Sequence, residues 1–527
     1  MGLSSRLVLG ALGTGHAASL SAAAARFERA RRHPREAQEA LLRGFLRRNA
    51  LTAYGRAHRF STIETVAEYQ RSVPVVDYEA LAPYVERIAD GEPNVLTASP
   101  VKMLERSSGS SSARKMIPYT AELLAEFSAA TGPWLFDLYR RRPRLFGTSS
   151  YWSVSPAARE AERTRGGVRI GFEDDTEYFG PITRWALGKM LAVPSSVARI
   201  PDMDAWRRET ALRLLAAEDL GLLSVWSPTF LTLLLRYMEK EIHRLLPELP
   251  AGRRARLERA IGARGFVGDA IWPHLVLVSS WADGDAASFV PALRAYFPRT
   301  EIQPKGLLAT EGVVSFPLLG LDGPLAGAGV AAAASHFLEF LPEGGTRPLL
   351  CDELRAGDLY SPILTTGAGF ARYHLKDRVR CVGHHDALPL LRFEGKLDRI
   401  SDVCGEKLHA AEVERAIRGA AEELALVPDF ALLAPSASDP PRYELFVEAA
   451  ADDATLARLA ERVERTLRAG HHYRYCRDLG QLESVRAVPV REGHARFERA
   501  LVERGGKAGD IKPTHLDSRR IWGDVFR

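Results

Sequence analysis

The sequence predicts an α/β protein with a large N-terminal α/β domain and a smaller C-terminal α+β domain. Short apolar runs bounded by Gly, Pro or Asp have the pattern of buried strands, and they alternate with segments of helical periodicity. The chain has 527 residues, 46% hydrophobic and 26% charged, so it is globular and long enough for more than one core. We therefore expect one domain over residues 1–397 and a second over residues 398–527.

The predicted elements follow each other along the chain. Helical periodicity covers residues 26–90 and returns over 120–139. The predicted strands and helices of the first domain then alternate, with strands at 222–226, 275–280, 301–308, 336–341, 361–366 and 378–382, and helices at 206–217, 229–246 and 287–296. The composition shifts after Gly395, and the second domain combines helices and strands, with helices at 411–421 and 454–469 and strands at 430–433 and 444–448.

Charge and cysteine usage exclude several classes of protein. The 71 Lys and Arg residues are interspersed with 66 Asp and Glu residues, and the net charge is +5, so we expect no nucleic-acid partner. Four cysteines lie far apart without metal-ligand spacing and are expected as reduced thiols in the cytoplasm. The apolar stretches 1–25 and 220–238 are interrupted by glycines or by Ser227-Pro228, so we predict no membrane span.

One loop has the composition of a phosphate-binding segment. Its hydroxyl and glycine residues are Ser107, Ser108, Gly109, Ser110 and Ser111, and Lys115 follows shortly after them. Small residues allow backbone N–H groups to close around an anion, hydroxyls add donors, and the ammonium adds a positive charge. The Walker pattern is absent, and a serine-rich stretch is also typical of a flexible linker. Lysine is much rarer than arginine in this chain, which gives a lysine within a motif extra weight.

Four further motifs follow in order after this loop. The segment 306–312 ends a predicted strand with Thr310 and Glu311, and the segment 373–379 brings Asp377 after a tyrosine. The segment 395–408 has the spacing of a hinge hairpin and contains Lys407, and the glycine-rich segment 505–513 contains Lys512. The run 384–386, His-His-Asp, is interpreted as structural, because adjacent strand residues face opposite sides of a sheet.

The order and spacing of these motifs resemble the adenylate-forming superfamily. Within it, the sequence is most similar to the acyl acid amido synthetases, first known as the auxin-responsive Gretchen Hagen proteins, over nearly the whole chain. The resemblance implies an ATP-dependent ligase that activates a carboxylic acid as acyl-AMP and transfers the acyl group to the amine of an amino acid. It also implies that residues 1–397 bind ATP and the acid, and that residues 398–527 form a mobile lid.

The resemblance also implies roles for individual residues. ATP would be bound by Ser107, Ser108, Gly109, Ser110, Ser111, Lys115, Ala309, Thr310 and Asp377. Glu311 would hold Mg²⁺, and the catalytic residues would be Lys512, Glu311 and Lys407. Asp398 would be the hinge. Tyr151 and Trp226 are candidates for the wall of the acyl pocket.

Each of these residues also has a structural interpretation. Glu311 could be a helix cap or a surface carboxylate, and Asp377 lies between two basic residues and could belong to a solvated charge cluster. Lys407 follows a glutamate and could form an ordinary hairpin ion pair worth less than ~1 kcal/mol. Tyr151 and Trp226 belong to residue types that are commonly found in hydrophobic cores.

The sequence departs from the family pattern at three places. Ser112 is followed directly by Ala113, which makes the serine-rich loop one residue shorter than usual. Lys376 occupies a position where glycine is usual, and Leu307 or Leu308 replaces a tyrosine. Two other functions therefore stay open: an acyl-CoA or carrier-protein ligase, and a catalytically impaired relative that binds a nucleotide as a sensor or scaffold.

Overall fold

The computed structural model describes residues 3–106, 115–152, 162–171, 185, 188–200, 202–397, 400–401, 403–404, 406–438, 440–504 and 511–527. It divides the chain into two compact units. The large unit comprises Met1–Asp283 and Val290–Phe393, and the small unit comprises Gly284–Phe289 and Glu394–Arg527. Asp398 lies outside the described residues. The domain boundary between residues 397 and 398 and the hinge stay predictions.

The helices of the large unit begin at residues that suit helix starts. Thr120 and Asp202 each accept a hydrogen bond from a backbone N–H of the first turn, and Pro228 occupies the first turn of its helix. The helices are α1 (Leu3–Arg32), α2 (Pro34–Asn49), α3 (Ala53–Ala57), α4 (Val66–Ser72), α5 (Tyr78–Ala89), α6 (Ala121–Arg141), α7 (Met203–Ala216), α8 (Pro228–Leu245), α9 (Ala251–Arg264), α10 (Gly268–Ile271) and α11 (Val290–Tyr296).

The strands of the large unit belong to several sheets. They are β1 (Met103–Arg106), β2 (Met116–Tyr119), β3 (Ser149–Trp152), β4 (Glu162–Arg163), β5 (Arg169–Ile170), β6 (Leu220–Ser224), β7 (Leu277–Ser280), β8 (Glu301–Pro304), β9 (Leu308–Ala309), β10 (Gly312–Val313), β11 (Ser315–Pro317), β12 (Gly329–Ala331), β13 (Phe337–Pro342), β14 (Leu359–Thr365), β15 (Tyr373–His374), β16 (Asp377–His385) and β17 (Leu388–Lys396). The large unit also contains short 3₁₀ turns, at Phe60–Thr62, Pro143–Leu145, Ser195–Arg199, Leu246–Glu248, Gly323–Leu325 and Cys351–Glu353.

Two sheets form the framework of the large unit. Strands β3, β6, β7 and β8 pair in parallel in that order, and helices α7 and α8 pack on them around a continuous apolar core. The second sheet has the order β11-β12-β17-β16-β14-β13, with β15 added beside β14. Strand β1 pairs with β2 in antiparallel and with β5 in parallel. This combination of a parallel sheet with helices and a largely antiparallel sheet confirms the predicted fold class.

The serine-rich segment connects two paired strands. Met103 is opposite Tyr119 and Arg106 is opposite Met116, so residues 107–114 lie between the ends of β1 and β2. The sequence predicted a helix at 120–139 and no strand between it and the serine-rich segment. Strand β2 was missed because it has only four residues, and its burial, one half-buried residue followed by three buried ones, does not alternate.

The N-terminal helix α1 packs against the rest of the large unit. Phe27 contacts Phe316 with ring centroids 4.9 Å apart, and Arg31 forms an ion pair with Asp386 at 2.8 Å. His385 lies 3.1 Å from the same arginine, so the His-His-Asp run anchors this helix. Residues 7–32 are long and apolar enough, by length and composition alone, to cross a bilayer. In the protein, 28% of their most apolar window is buried.

One histidine of α1 makes the stability of the protein dependent on pH. His16 is 1% exposed, its Nδ1 lies 3.2 Å from the Tyr139 hydroxyl, and burial lowers its pKa from 6.5 to about 4. The unfolded chain therefore binds this proton near pH 6.5 and the folded chain only near pH 4, so stability falls as the pH falls through this window.

We expect wild type to lose about 2 kcal/mol more stability than His16→Gln between pH 7 and pH 5. The measurement is urea denaturation of both proteins at the two pH values. The other histidines and carboxylates titrate in both proteins, so the difference isolates His16. Equal losses would show that this histidine is not buried in its neutral form.

The small unit has a three-stranded sheet that is covered on both faces. One apolar cluster contains residues of α12 and α13, and the other contains residues of α15 and α16. The strands are β18 (Ile400–Ser401), β19 (Leu408–His409), β20 (Phe430–Pro435), β21 (Tyr443–Glu448) and β22 (Arg486–Pro489). The helices are α12 (Ala410–Glu423), α13 (Asp453–Leu467), α14 (His471–Asp478), α15 (Gly493–Glu503) and α16 (Trp522–Phe526), and Gly284–Phe289 adds a 3₁₀ turn.

Candidate active site

A tight hairpin presents Glu311. Strands β9 and β10 pair with Ala309 opposite Gly312, which leaves Thr310 and Glu311 as the two residues of the turn. The Val313 N–H donates to His336 Nε2 at 2.9 Å. Nδ1 of His336 therefore carries the hydrogen and donates a hydrogen bond to the Glu126 carboxylate, 2.9 Å away. Glu311 is 8% exposed, so the hairpin holds a carboxylate in a largely buried position.

Tyr373 forms a hydrogen bond to Glu311 and lies four residues before Asp377, the predicted ribose-binding residue. Its hydroxyl donates to Glu311 Oε1 at 3.0 Å. Burial, reinforced by the Glu311 carboxylate, raises the pKa of Tyr373 far above its usual value, and Glu79 and Asp377 contribute in the same direction. This tyrosine therefore stays a donor. Its hydrogen bond connects the hairpin of Glu311 to the segment that carries Asp377, which follows Glu311 by 66 residues in the sequence.

A buried arginine fixes the position of Tyr373. Arg372 and Glu339 are 4% and 1% exposed, and two hydrogen bonds of 2.9 Å join the guanidinium to the carboxylate. The remaining Nη1 donates to the carbonyls of Gln70 at 2.8 Å and Val73 at 2.7 Å. The φ of Arg372 is +51°, which is unfavourable for a residue with a side chain. The arginine contacts outweigh this local strain and hold the backbone next to Tyr373.

Lys115 directly precedes β2 and lies near Tyr78. Its Nζ is 5.8 Å from the centre of the Tyr78 ring, and the Tyr78 hydroxyl accepts from the Met116 N–H at 2.8 Å. Burial raises the pKa of Tyr78, and the charge of Glu311 contributes to this rise. Lys115 therefore lies beside a tyrosine whose pKa the Glu311 charge helps to raise. The predicted phosphate-binding residues 107–111 lie outside the described residues.

Lys376 occupies a backbone position that suits glycine. Its φ is +58°, a left-handed conformation that glycine adopts freely. The lysine gains an ion pair, because Nζ lies 3.2 Å from Asp77 Oδ2, at the start of α5. The aspartate motif is therefore tied to α5, and Asp377 follows directly as the first residue of β16, 3% exposed.

Lys407 and Lys512 lie in the small unit, and both side chains are exposed. The chain after Lys512 is anchored to β20: the Leu433 N–H donates to the His515 carbonyl at 2.8 Å, and the Asp517 N–H donates to the Leu433 carbonyl at 3.1 Å. The residues that follow Lys512 are therefore hydrogen-bonded to the sheet of the small unit. The predicted catalytic roles of both lysines stay predictions.

The two candidates for the acyl pocket have different surroundings. Tyr151 is fully buried within the apolar core of the parallel sheet. Trp226 is half-buried between β6 and α8, and its ring centre lies 5.3 Å from Lys305 Nζ. Sequence reasoning missed Tyr373, Arg372 and Lys305 as site residues. The rarity of lysine was the one signal that could have singled out Lys305.

A cluster of potential metal ligands in the small unit is explained by structural hydrogen bonds. Ligand atoms of Cys404, Glu406 and Cys476 lie within 4.8 Å of one another. The Glu406 carboxylate, however, accepts from the backbone N–H groups of Val403 at 2.7 Å and Cys404 at 2.8 Å, and from the Tyr443 hydroxyl at 2.5 Å. These donors satisfy the carboxylate, so its role is to shape the loop before β19.

The chain matches the three domain profiles of one family. The GH3 family N-terminal domain covers residues 23–255, the central domain residues 329–396 and the C-terminal domain residues 411–520. Among its relatives is a probable indole-3-acetic acid-amido synthetase, GH3.12, of Oryza sativa subsp. japonica, 24% identical over 92% of each chain. A second, the jasmonoyl-L-amino acid synthetase GH3.5 of the same plant, is 23% identical over 81% of this chain and 82% of the relative.

Solved structures show the same fold. The GH3.15 acyl acid amido synthetase aligns over 95% of this chain and 94% of its own with a TM-score of 0.80 at 19% identity. Its complex with 2,4-DB aligns over 96% of this chain and 95% of its own with a TM-score of 0.84 at 18% identity. The fold and the family matches define the class of protein, a ligase, as the sequence predicted. The chain belongs to the GH3 family, which confirms the predicted family.

Proposed function

We propose that this ligase activates a carboxylic acid with ATP and transfers the acyl group to the amine of an amino acid. In the first step a carboxylate oxygen attacks the α-phosphorus, and pyrophosphate leaves. In the second step the amine nitrogen attacks the acyl carbon, AMP leaves, and the nitrogen loses a proton. The observation that supports this most directly is the buried Glu311 carboxylate on its hairpin, which accepts a hydrogen bond from Tyr373, in the segment that also carries Asp377.

The residues of the large unit suit a nucleotide with its metal ion. Carboxylate oxygens are the ligands that Mg²⁺ prefers, and Glu311 would hold the ion, which neutralises phosphate charge when bound. Thr310 and Ala309 are half-buried beside Glu311 and would line the adenine. Asp377 would accept hydrogen bonds from the ribose hydroxyls. Lys115 and residues 107–111 would bind the phosphates.

The small unit would supply charge to the reacting atoms. In this proposal Lys512 stabilises the negative charge that develops as the carboxylate attacks phosphorus, and Lys407 lies near the site in one of the two steps. A hinge at Asp398 would present different parts of the unit to the two steps. We place the protein in the cytoplasm, a location that agrees with four free cysteines.

A product screen tests this function. The full chain is incubated with ATP, Mg²⁺, a panel of carboxylic acids, and either mixed amino acids or CoA, and products are followed by pyrophosphate release and mass spectrometry. We expect pyrophosphate release that depends on the acid, and an amide product. A thioester without any amide would identify an acyl-CoA ligase. ATP binding without pyrophosphate release for any acid would favour a sensor or scaffold.

Replacing Glu311 by glutamine is expected to raise the Mg²⁺ concentration needed for half-maximal pyrophosphate release by about tenfold or more. The amide oxygen still accepts from Tyr373, so the fold is retained, but the ligand loses its charge. The measurement is a magnesium titration, with Glu258→Gln, an exposed carboxylate on α9, as the control. Identical titrations for the two variants would remove Glu311 from the metal site.

A further inference from the structure

Four parallel strands bring a row of side chains to one edge of their sheet. Trp152 is opposite Ser224, Ser224 is opposite Ser279, and Ser279 is opposite Gln303. These residues lie at or next to the carboxyl ends of β3, β6, β7 and β8, where parallel sheets bind their ligands. Aligned residues of parallel neighbours point to the same face, so the row lines one surface.

A lysine extends this row into a cage of tryptophans. Lys305 directly follows β8 and is 7% exposed. Its Nζ donates to the hydroxyls of Ser224 at 2.8 Å and Ser279 at 3.3 Å. The same ammonium lies 5.7, 6.0 and 5.3 Å from the ring centres of three tryptophans, Trp134, Trp152 and Trp226. These aromatic faces and hydroxyls stabilise the positive charge in a largely dry position.

The neighbouring glutamine adds a second donor. Gln303 is 4% exposed, and its Oε1 accepts from Trp134 Nε1 at 2.9 Å. Its Nε2, in contrast, is buried and has no acceptor within hydrogen-bond distance in the described part of the chain. A buried donor without an acceptor is unfavourable, and a ligand acceptor at this point would remove the penalty. Lys305 contacts Ser224 and Ser279, which lie in the same row as Gln303, so the glutamine and the lysine face the same side of the sheet.

We propose that Lys305 and Gln303 bind an anionic group of the acid substrate at the end remote from the reacting carboxylate. The inference rests on the proposed function, in which Lys512 and the nucleotide residues serve the reacting carboxylate. The nucleotide residues lie on the β9–β10 hairpin and around Tyr373, whereas the cage lies at the ends of the parallel strands. The substrate class is therefore a dicarboxylic acid, its second carboxylate between Lys305 and Gln303 and its body against the tryptophans.

Binding of matched acids to the full chain tests the inference without relying on turnover. Calorimetric titrations, with and without ATP and Mg²⁺, compare succinate with butyrate, adipate with hexanoate, suberate with octanoate, and terephthalate with benzoate. We expect at least one diacid to bind about tenfold or more tightly than its monoacid. If every diacid binds no more tightly than its partner, or if none of these acids binds, the inference is wrong.

Variants then test whether Lys305 and Gln303 bind the second carboxylate, in what we call the subsite. Lys305→Met is expected to abolish the preference for the diacid, whereas Lys240→Met, which removes an exposed lysine on α8, keeps the preference. Gln303→Met should weaken the preference too, and it serves as the test if circular dichroism shows that Lys305→Met does not fold. A preference that survives in folded variants would overturn the assignment.

The outcomes separate this inference from the proposed function. Diacids that bind through Lys305 but yield neither pyrophosphate nor amide would support the subsite and contradict the ligase reaction. Monoacids that form amides while diacids bind no better would support the ligase reaction and contradict the subsite.

Discussion

Lys512→Ala is expected to lower the rate of adenylate formation by about 10³-fold while the affinity for ATP changes little. The ammonium would be required chiefly when negative charge develops on the pentacoordinate phosphorus, and removal of one such group typically reduces the rate by about 10²- to 10³-fold. The side chain is exposed, so its loss leaves the fold unchanged. The anchored segment behind it, from His515 to Asp517, would let the small unit position this charge reproducibly.

Two measurements distinguish this effect from a loss of binding. Pyrophosphate exchange follows adenylate formation, and calorimetry with ATP and Mg²⁺ follows nucleotide affinity. Lys240→Ala serves as the control, because it removes an exposed lysine of the large unit that has no role in the proposal. Exchange close to the wild-type rate in Lys512→Ala would show that another group supplies the charge.

Arg372→Met is expected to lower the free energy of unfolding by about 3–5 kcal/mol, because it leaves the Glu339 carboxylate buried without its cation. It also releases the carbonyls of Gln70 and Val73, and with them the backbone next to Tyr373. We expect a loss of pyrophosphate release in addition to the loss of stability, because the donor to Glu311 is displaced.

The control for this prediction is a solvent-exposed ion pair on the protein surface. Arg87 and Glu92 are 42% and 47% exposed, and Arg87→Met is expected to leave the unfolding midpoint almost unchanged. The double variant Arg372→Met/Glu339→Leu should be more stable than Arg372→Met alone, because it removes the isolated charge. Denaturant unfolding of the four proteins measures these differences. Equal midpoints for Arg372→Met and Arg87→Met would contradict the buried pair.

Much of the architecture could be predicted because its elements carry local signals. The sequence predicted a strand at 222–226 followed by a helix at 229–246, and the structure has Leu220–Ser224 and Pro228–Leu245. Pro228 marks this helix start through its fixed φ, a property of one residue. The predicted strand 301–308, in contrast, is interrupted after Pro304. Gly306 has a φ of +73°, and a side chain there would lie 2.5 Å from the Ser315 carbonyl oxygen, a contact that local sequence does not reveal.

The site was predictable only in part, for a similar reason. Glu311 and Asp377 belong to motifs whose spacing is visible in the sequence. Tyr373 reaches Glu311 through a hydrogen bond between residues 62 positions apart, and Arg372 contacts carbonyls 302 and 299 residues away. The cage around Lys305 combines residues from four strands and a helix. Partners of this kind follow from strand register, which depends on the whole fold.

Lys376 has a consequence for how this position can change during evolution. Its left-handed backbone favours glycine, whereas its ion pair with Asp77 requires a cation. Lysine and glycine codons differ at two nucleotides, and the one-step intermediates encode arginine or glutamate. Arginine keeps a partner for Asp77, but glutamate combines the backbone penalty of ~1–2 kcal/mol with a second negative charge facing the first. A stepwise change between lysine and glycine that avoids a second negative charge opposite Asp77 therefore passes through arginine.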